Sequence, residues 1–129
     1  MIKELHEKLI NGQITSVKLT EEYFDIIKKK DKNIKAYLTL TKDLAIEQAK
    51  KVDDKIKRGE EVDILAGIPL AIKDNICLEG VRATAASKIL DNYIAPYDAT
   101  VIKKLKEKDV VFLGKTNMDE FAMGSSTES

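Results

Sequence analysis

The sequence holds one cysteine, Cys77, and one histidine, His6, in 129 residues. A lone cysteine excludes an internal disulfide and fits a reducing compartment. One histidine with one cysteine cannot assemble a zinc site, so no metal is expected on this chain. Net charge is missing as well, because 22 basic side chains balance 22 acidic ones. Sequence-independent affinity for RNA phosphates needs an excess of Lys and Arg on one face, so any nucleic acid must be held mainly by another chain. No apolar run approaches the ~20 residues that span a bilayer. The N-terminal stretch from Met1 to Leu9 carries Glu4 and Glu7 among its apolar residues, unlike a secretory or transit segment. Internal repeats, low-complexity tracts and obvious linkers are also lacking. These absences together point to a cytoplasmic protein.

What is present reads as helices followed by strands. Ile2, Leu5, Leu9 and Ile10 recur at helical spacing before an Asn11-Gly12 stop, which predicts a short helix. Ser16 is a plausible N-cap for a second helix with a stripe of Leu19, Tyr23, Ile26 and Ile27, ending near Asp31. Ala36 to Leu40 reads as a short strand. Thr41 is placed to cap a third helix running to about Arg58, with Ala45, Ala49, Val52 and Ile56 on one face and Gly59 as its stop.

After this the texture changes. Ile64 to Asn75 is nearly continuous apolar sequence ending in Lys73-Asp74-Asn75. It suits a strand buried on both faces, with Pro69 at its start where a missing N–H is tolerated. Asp98 is a good N-cap for a fourth helix that turns Val101, Ile102 and Leu105 inward, and Val110 to Leu113 forms a second strand. The order strand, helix, strand predicts a parallel pair with a right-handed crossover. The fold class is therefore α/β. A mainly helical section (1–60) precedes an α/β section (61–129), within one domain.

Lys73 is the most informative side chain. In a buried strand an ammonium group is costly unless paired or neutralised, and a desolvated lysine can serve as a general base. The bland alternative is a strand-end charge that reaches solvent or bridges to Asp74. Ligands in open α/β sheets gather beyond the carboxyl ends of strands. The polar run Gly114 to Ser126 lies beyond the second strand, so two polar strand ends are expected to converge. Met118 and Phe121 are read as packing residues. Ser125 and Ser126 lie in no Gly-x-Ser-x-Gly elbow, and His6, on an amphipathic helix, is read as a surface or packing residue, so no Ser/His/Asp triad is expected. Gly114-Lys115-Thr116 is not a Walker motif, because Asp109 stands where that motif requires glycine. Cys77 is read as a small buried apolar residue.

The segment Leu65-Ala-Gly-Ile-Pro-Leu-Ala-Ile-Lys-Asp-Asn75 resembles the catalytic-lysine segment of the amidase signature family. Gly114-Lys-Thr-Asn-Met-Asp-Glu-Phe-Ala-Met-Gly-Ser-Ser-Thr-Glu128 resembles that family's branch of tRNA-dependent amidotransferase A subunits. Ala85 to Leu90 and Pro96 to Thr100 resemble the same branch at the expected spacing, so the likeness covers nearly the whole chain. The resemblance implies an incomplete part of the mixed sheet and helices of the amidase signature fold. It implies hydrolysis by a serine nucleophile, a second serine in a cis peptide and a lysine, which Lys73 matches. Met123, Gly124 and Ser125 match a loop that approaches the substrate in related enzymes. Both serines belong to a glycine- and serine-rich segment expected beyond Ser129, so the chain reads as an N-terminal piece, inactive alone.

For the whole protein the resemblance implies glutamine as substrate and ammonia passed to a B subunit. That partner uses ATP and magnesium to amidate Glu-tRNA(Gln), while a small C subunit wraps the pair. No cofactor is expected on this chain. Two alternatives stay open: another amide hydrolase of the same family, which the Lys73 segment alone permits, and a non-catalytic interaction module built on an old catalytic strand.

Overall fold

The computed structural model describes residues 1–127. Helix α1 spans Ile2–Ile10 and ends at Asn11. Helix α2 spans Ser16–Ile34, and its N-cap is Thr15, whose hydroxyl accepts from the Lys18 N–H at 3.1 Å. Ser16 is therefore not the cap but the first helical residue. Its N–H donates to Asp53 Oδ1 at 2.7 Å, its Oγ donates to the Gly67 carbonyl at 2.8 Å, and the Val17 N–H donates to Asp53 Oδ2 at 3.0 Å. An aspartate from another helix thus satisfies two of the four free N–H groups of α2. The helix runs past the expected stop at Asp31. The reversal comes at Lys35, in the left-handed region at φ 56°, with its N–H bonded to the Asp31 carbonyl at 2.7 Å.

Strand β1 (Tyr37–Leu40) leads into helix α3 (Lys42–Lys57). Thr41 stands at the N-cap position, but its hydroxyl donates to the Phe112 carbonyl at 2.8 Å, tying the helix start to the sheet. Of the long apolar run only Pro69–Lys73 forms strand β2. The residues before it are folded into turns, closed by the Ala66 N–H to Asp63 carbonyl bond at 2.9 Å. Helix α4 (Thr100–Lys106) begins after Ala99, one residue later than an Asp98 cap requires. Asp98 accepts instead from the Glu79 N–H at 2.8 Å and from Lys106 Nζ at 2.5 Å. Ile102 is buried while Val101 is 47 % exposed, so the inward face of α4 is narrower than its pattern predicted.

Strand β3 (Val111–Thr116) completes a three-stranded sheet of order β1-β3-β2. β2 runs parallel to β3 and β1 antiparallel to it, giving the mixed α/β class expected. β3 is buried on both faces. Val111 and Leu113 pack with Phe24, Ile27, Ala45 and Ala49 of α2 and α3. Phe112 packs with Ile72, Leu78 and Ile102. Complete burial of a side chain like Phe112 stabilises by about 1.5–3 kcal/mol. The register of β2 skips from Phe112 to Gly114, which marks a bulge in β3. Gly114 sits at φ +156°, and a Cβ there would lie 2.3 Å from the Thr39 carbonyl oxygen, so only glycine lets β1 pair this closely. No helix among the described residues is long and apolar enough to cross a membrane.

Candidate active site

Lys73 ends β2 in register with Thr116, the last residue of β3, and the Asp74 N–H donates to the Thr116 carbonyl at 3.2 Å. The two polar strand ends do converge. The Lys73 side chain, however, is exposed. Side chains alternate along a strand, so Ile72 faces the core while Ala71 and Lys73 share the open face. The expectation of burial on both faces fails for β2 because only the face that carries Ile72 is covered, while the face shared by Ala71 and Lys73 lies open. It is met by β3, which lies between two neighbours and two packed layers. Cys77 is likewise only half-buried.

The buried lysine is Lys115, one residue after the bulge. Its Nζ lies 3.2 Å from Asp74 Oδ1, with both side chains fully buried, and it also donates to the Arg82 carbonyl at 3.1 Å. The other oxygen, Asp74 Oδ2, accepts from the Thr84 N–H at 2.9 Å and the Thr84 hydroxyl at 2.5 Å. Asp74 thus pairs with Lys115 rather than with Lys73. Such a pair does not by itself add stability, because desolvation of both ions offsets their attraction, but removing one partner leaves an uncompensated buried charge. Sequence reasoning missed it because the second strand was expected to end at Leu113, before Gly114. The available signal was a lysine directly following an apolar run.

Asp74 also organises the backbone. Its carbonyl accepts from the Ala85 N–H at 3.3 Å, and the Ala85 carbonyl accepts from the Phe121 N–H at 3.0 Å. The Ser87 hydroxyl donates to Glu120 Oε1 at 2.6 Å. The loops so joined hold four non-glycine residues at positive φ: Ala85 at 49°, Ala86 at 56°, Phe121 at 51° and Ala122 at 58°. Each left-handed residue costs about 1–2 kcal/mol. Strain of this kind persists where the surroundings over-determine it, and it gathers at functional sites.

Met118 is buried as its packing role requires, but Phe121 is 42 % exposed, because the turn at Glu120–Ala122 kinks at Phe121 beyond the strand end. Met123, Gly124 and Ser125 lie exposed on the loop that follows. That loop wraps the Asp119 carboxylate, which accepts from the Thr127 N–H at 2.7 Å. A Cβ at Gly124 would lie 2.6 Å from the same carboxylate.

An open hollow of about 260 Å³ lies beside the joined loops, lined by Leu38, Arg82, Thr84, Ser87, Lys88 and Asn117. Another, of about 310 Å³, lies near Val110 at the opposite end of β3, away from the converging polar strand ends. His6 sits half-buried on α1. No group of three or more His, Cys, Asp or Glu among the described residues is arranged to hold a metal.

Comparison with known proteins places this geometry. The family model described as Amidase matches residues 18–129. The chain is 52% identical over 128 residues to the second A subunit of glutamyl-tRNA(Gln) amidotransferase in Clostridium acetobutylicum, covering 99% of this chain and 27% of that protein. It is 54% identical over 127 residues to the A subunit of glutamyl-tRNA(Gln) amidotransferase in Carboxydothermus hydrogenoformans, covering 98% and 26%. The chain thus spans about a quarter of the length of these relatives. Among solved structures it superposes on the native peptide amidase of Stenotrophomonas maltophilia with a TM-score of 0.87 at 31% identity, covering 93% of this chain and 25% of that one. A chain from a vestigial protein complex that bears on the origins of an s-triazine catabolic enzyme matches with a TM-score of 0.88 at 35% identity, covering 92% and 26%. With the family match running from α2 through the loop beyond β3, this chain belongs to the amidase family.

Proposed function

We propose that this chain is the N-terminal part of the glutamine-hydrolysing A subunit of a tRNA-dependent amidotransferase, with Lys73 as its general base. The observation that carries the reading is the place of Lys73. It stands at the carboxyl end of β2, beside the end of β3, with its side chain on the open face of the sheet. That is where α/β sheets gather ligands. The identity of 50% or more to two A subunits supports the substrate class.

In this reading a longer protein brings a serine pair to the open face. The nucleophilic serine attacks the side-chain amide carbon of glutamine, and its proton passes through the second serine to the neutral Lys73 amine. When the tetrahedral adduct collapses, Lys73 returns that proton to the departing nitrogen and ammonia leaves. Water then releases glutamate from the acyl-enzyme. Met123, Gly124 and Ser125 contribute to the wall against which glutamine lies. Ammonia goes to a B subunit, where ATP and magnesium activate the glutamyl group of Glu-tRNA(Gln), and a C subunit braces the pair. The 129-residue chain alone is inactive, and the complex works in the cytoplasm.

The test is ammonia release from glutamine, and amidation of glutamyl-tRNA, by the full-length protein with its partners, before and after Lys73→Ala. Loss of both activities in a folded, assembled variant is the expected result. Normal glutamine hydrolysis by Lys73→Ala would remove the lysine from the chemistry. Hydrolysis of peptide amides in place of glutamine would move the protein toward the peptide amidase it resembles.

A further inference from the structure

We infer that Asp74 and Lys115 form a positioning pair, which sets both the general-base lysine and the substrate loop from one buried ionic node. The inference rests on the catalytic reading of Lys73.

Asp74 follows Lys73 directly, so whatever fixes its peptide and carboxylate fixes the backbone from which the Lys73 side chain projects. Five contacts do so. The Asp74 N–H is held by the Thr116 carbonyl at 3.2 Å, and the Asp74 carbonyl is held by the Ala85 N–H at 3.3 Å. The carboxylate receives Lys115 Nζ at 3.2 Å on one oxygen and both donors of Thr84 on the other. Lys115 in turn clamps the Arg82 carbonyl at 3.1 Å, so its ammonium bridges β3, the end of β2 and the 82–86 loop.

The same node reaches the substrate side. Thr84 is bound twice to the Asp74 carboxylate, and its hydroxyl accepts from the Ala86 N–H at 3.1 Å. This fixes the turn that carries Ala85 and Ala86 at positive φ. Ala85 then presents its carbonyl to the Phe121 N–H at 3.0 Å, and Ser87 binds Glu120 at 2.6 Å. Phe121 and Ala122, also at positive φ, lead directly into Met123, Gly124 and Ser125. A path of hydrogen bonds and short backbone segments therefore runs from the Asp74 carboxylate to the loop assigned to the substrate. Four strained residues lie along it, and strain is retained where surrounding contacts over-determine it. A pair that served only to hold the fold together would need neither a position adjacent to Lys73 nor this connection.

Neither Asp74 nor Lys115 is exposed, so both act through the groups they hold rather than on substrate. Misplacement of a reacting group by about 1 Å lowers turnover on the order of 10²-fold. The full-length protein with its partner subunits, assayed for glutamine hydrolysis, gives the test. Lys115→Met or Asp74→Asn alone leaves one buried charge unbalanced and weakens the fold. The decisive variant is the double replacement Asp74→Asn with Lys115→Met, which removes both charges while keeping the side-chain volumes similar. The expected result is near-normal thermal stability, a kcat lowered on the order of 10²-fold, and a displaced acid limb of the pH–rate profile, the limb set by a base that must start unprotonated. Thr84→Val is read in parallel, because it keeps the ion pair and removes one hydrogen bond to the carboxylate. It is expected to lower kcat several-fold and to shift the same limb.

A double variant that folds and keeps wild-type kcat and pH profile overturns the inference. If the double variant does not fold, Thr84→Val decides: wild-type kinetics overturn the inference, and the stated shift supports it. Lys73→Met, run alongside, separates the two readings. If it retains activity, the catalytic reading itself has failed. If it is inactive while the double variant is normal, only the positioning pair has failed.

Discussion

Asp74 Oδ1 and Lys115 Nζ lie 3.2 Å apart with both side chains fully buried, joining the end of β2 to the strand at the centre of the sheet. Parallel pairing makes this possible. Lys115 pairs with Ile72 and Thr116 with Lys73, so the residue following Lys73 comes beside the end of β3. Lys115→Met in the full-length protein should lower stability by about 3–5 kcal/mol, because the Asp74 carboxylate is then buried without its counter-charge. Addition of Asp74→Asn should recover most of that loss. Thermal and denaturant unfolding of the three variants measures the coupling; additive losses would mean the pair is not coupled.

Gly114→Ala should disrupt the sheet at its bulge. The new Cβ would meet the Thr39 carbonyl oxygen at 2.3 Å, which is backbone and cannot rotate away. A loss on the order of 2–4 kcal/mol is expected from combined strain and broken pairing. Hydrogen exchange should locate the damage at Thr41, whose N–H donates to the Leu113 carbonyl at 3.0 Å. Unchanged protection at that amide would show that β1 can pair without the glycine.

Much of this fold is legible in the sequence, for reasons visible residue by residue. The bounds of α1 follow from the spacing of Ile2, Leu5 and Leu9 and from Asn11-Gly12. The parallel pair follows from strand, helix, strand order. What stays hidden depends on distant partners. Ser16 looks like a cap in isolation, yet Asp53, 37 residues away, supplies the carboxylate that its N–H meets. Asp98 looks like a cap for the same local reason, and Lys106 and Glu79 claim it instead. At the site, Lys73 is legible as a lysine ending an apolar run. The exchange of burial between Lys73 and Lys115 is not, because it depends on the bulge in β3 that sets Lys115 beside Ile72 on the covered face.

Asp53 makes a stability prediction that is independent of the site. Its two oxygens take the Ser16 and Val17 N–H groups at 2.7 and 3.0 Å. Asp53→Ala removes both acceptors from a helix start in which Ser16 is fully buried. A loss of about 1.5–3 kcal/mol is expected, the range for hydrogen bonds to a charged group. Urea unfolding at neutral pH measures it. Asp53→Asn should lie between wild type and alanine, since its amide oxygen still accepts one of the two bonds.

Asp98 should contribute to an acid limb of stability. Burial works to raise its pKa, but the Lys106 ammonium and the Glu79 N–H outweigh it, and the carboxyl is held below its usual range. For a carboxylate depressed in the folded state, the stabilising contribution is present above the unfolded pKa of about 3.9. It is lost as pH falls through the lower folded value, because the unfolded chain takes up the proton first. Asp98→Asn should therefore flatten the fall in stability on the acid side while lowering stability at neutral pH. An acid limb unchanged by the substitution would show that Asp98 does not titrate differently in the two states.

Lys73 and Lys115 should separate under an amine-reactive label. In the 129-residue chain Lys73 lies on the open face of an edge strand and Lys115 is fully buried. Brief labelling followed by peptide mapping should modify Lys73 at the rate of surface lysines such as Lys28 and leave Lys115 protected. The general-base role proposed for Lys73 demands more, because desolvation is what lets a lysine serve as a general base. Residues beyond this segment must then cover the face that Ala71 and Lys73 share and take water from the amine. Under the proposed function, Lys73 in the full-length protein should accordingly be shielded from bulky reagents yet react with a small one that enters the proposed glutamine site, and glutamine should protect it. If Lys73 of the full-length protein labels like any surface lysine and glutamine changes nothing, the amine stays hydrated and the proton transfer assigned to it fails.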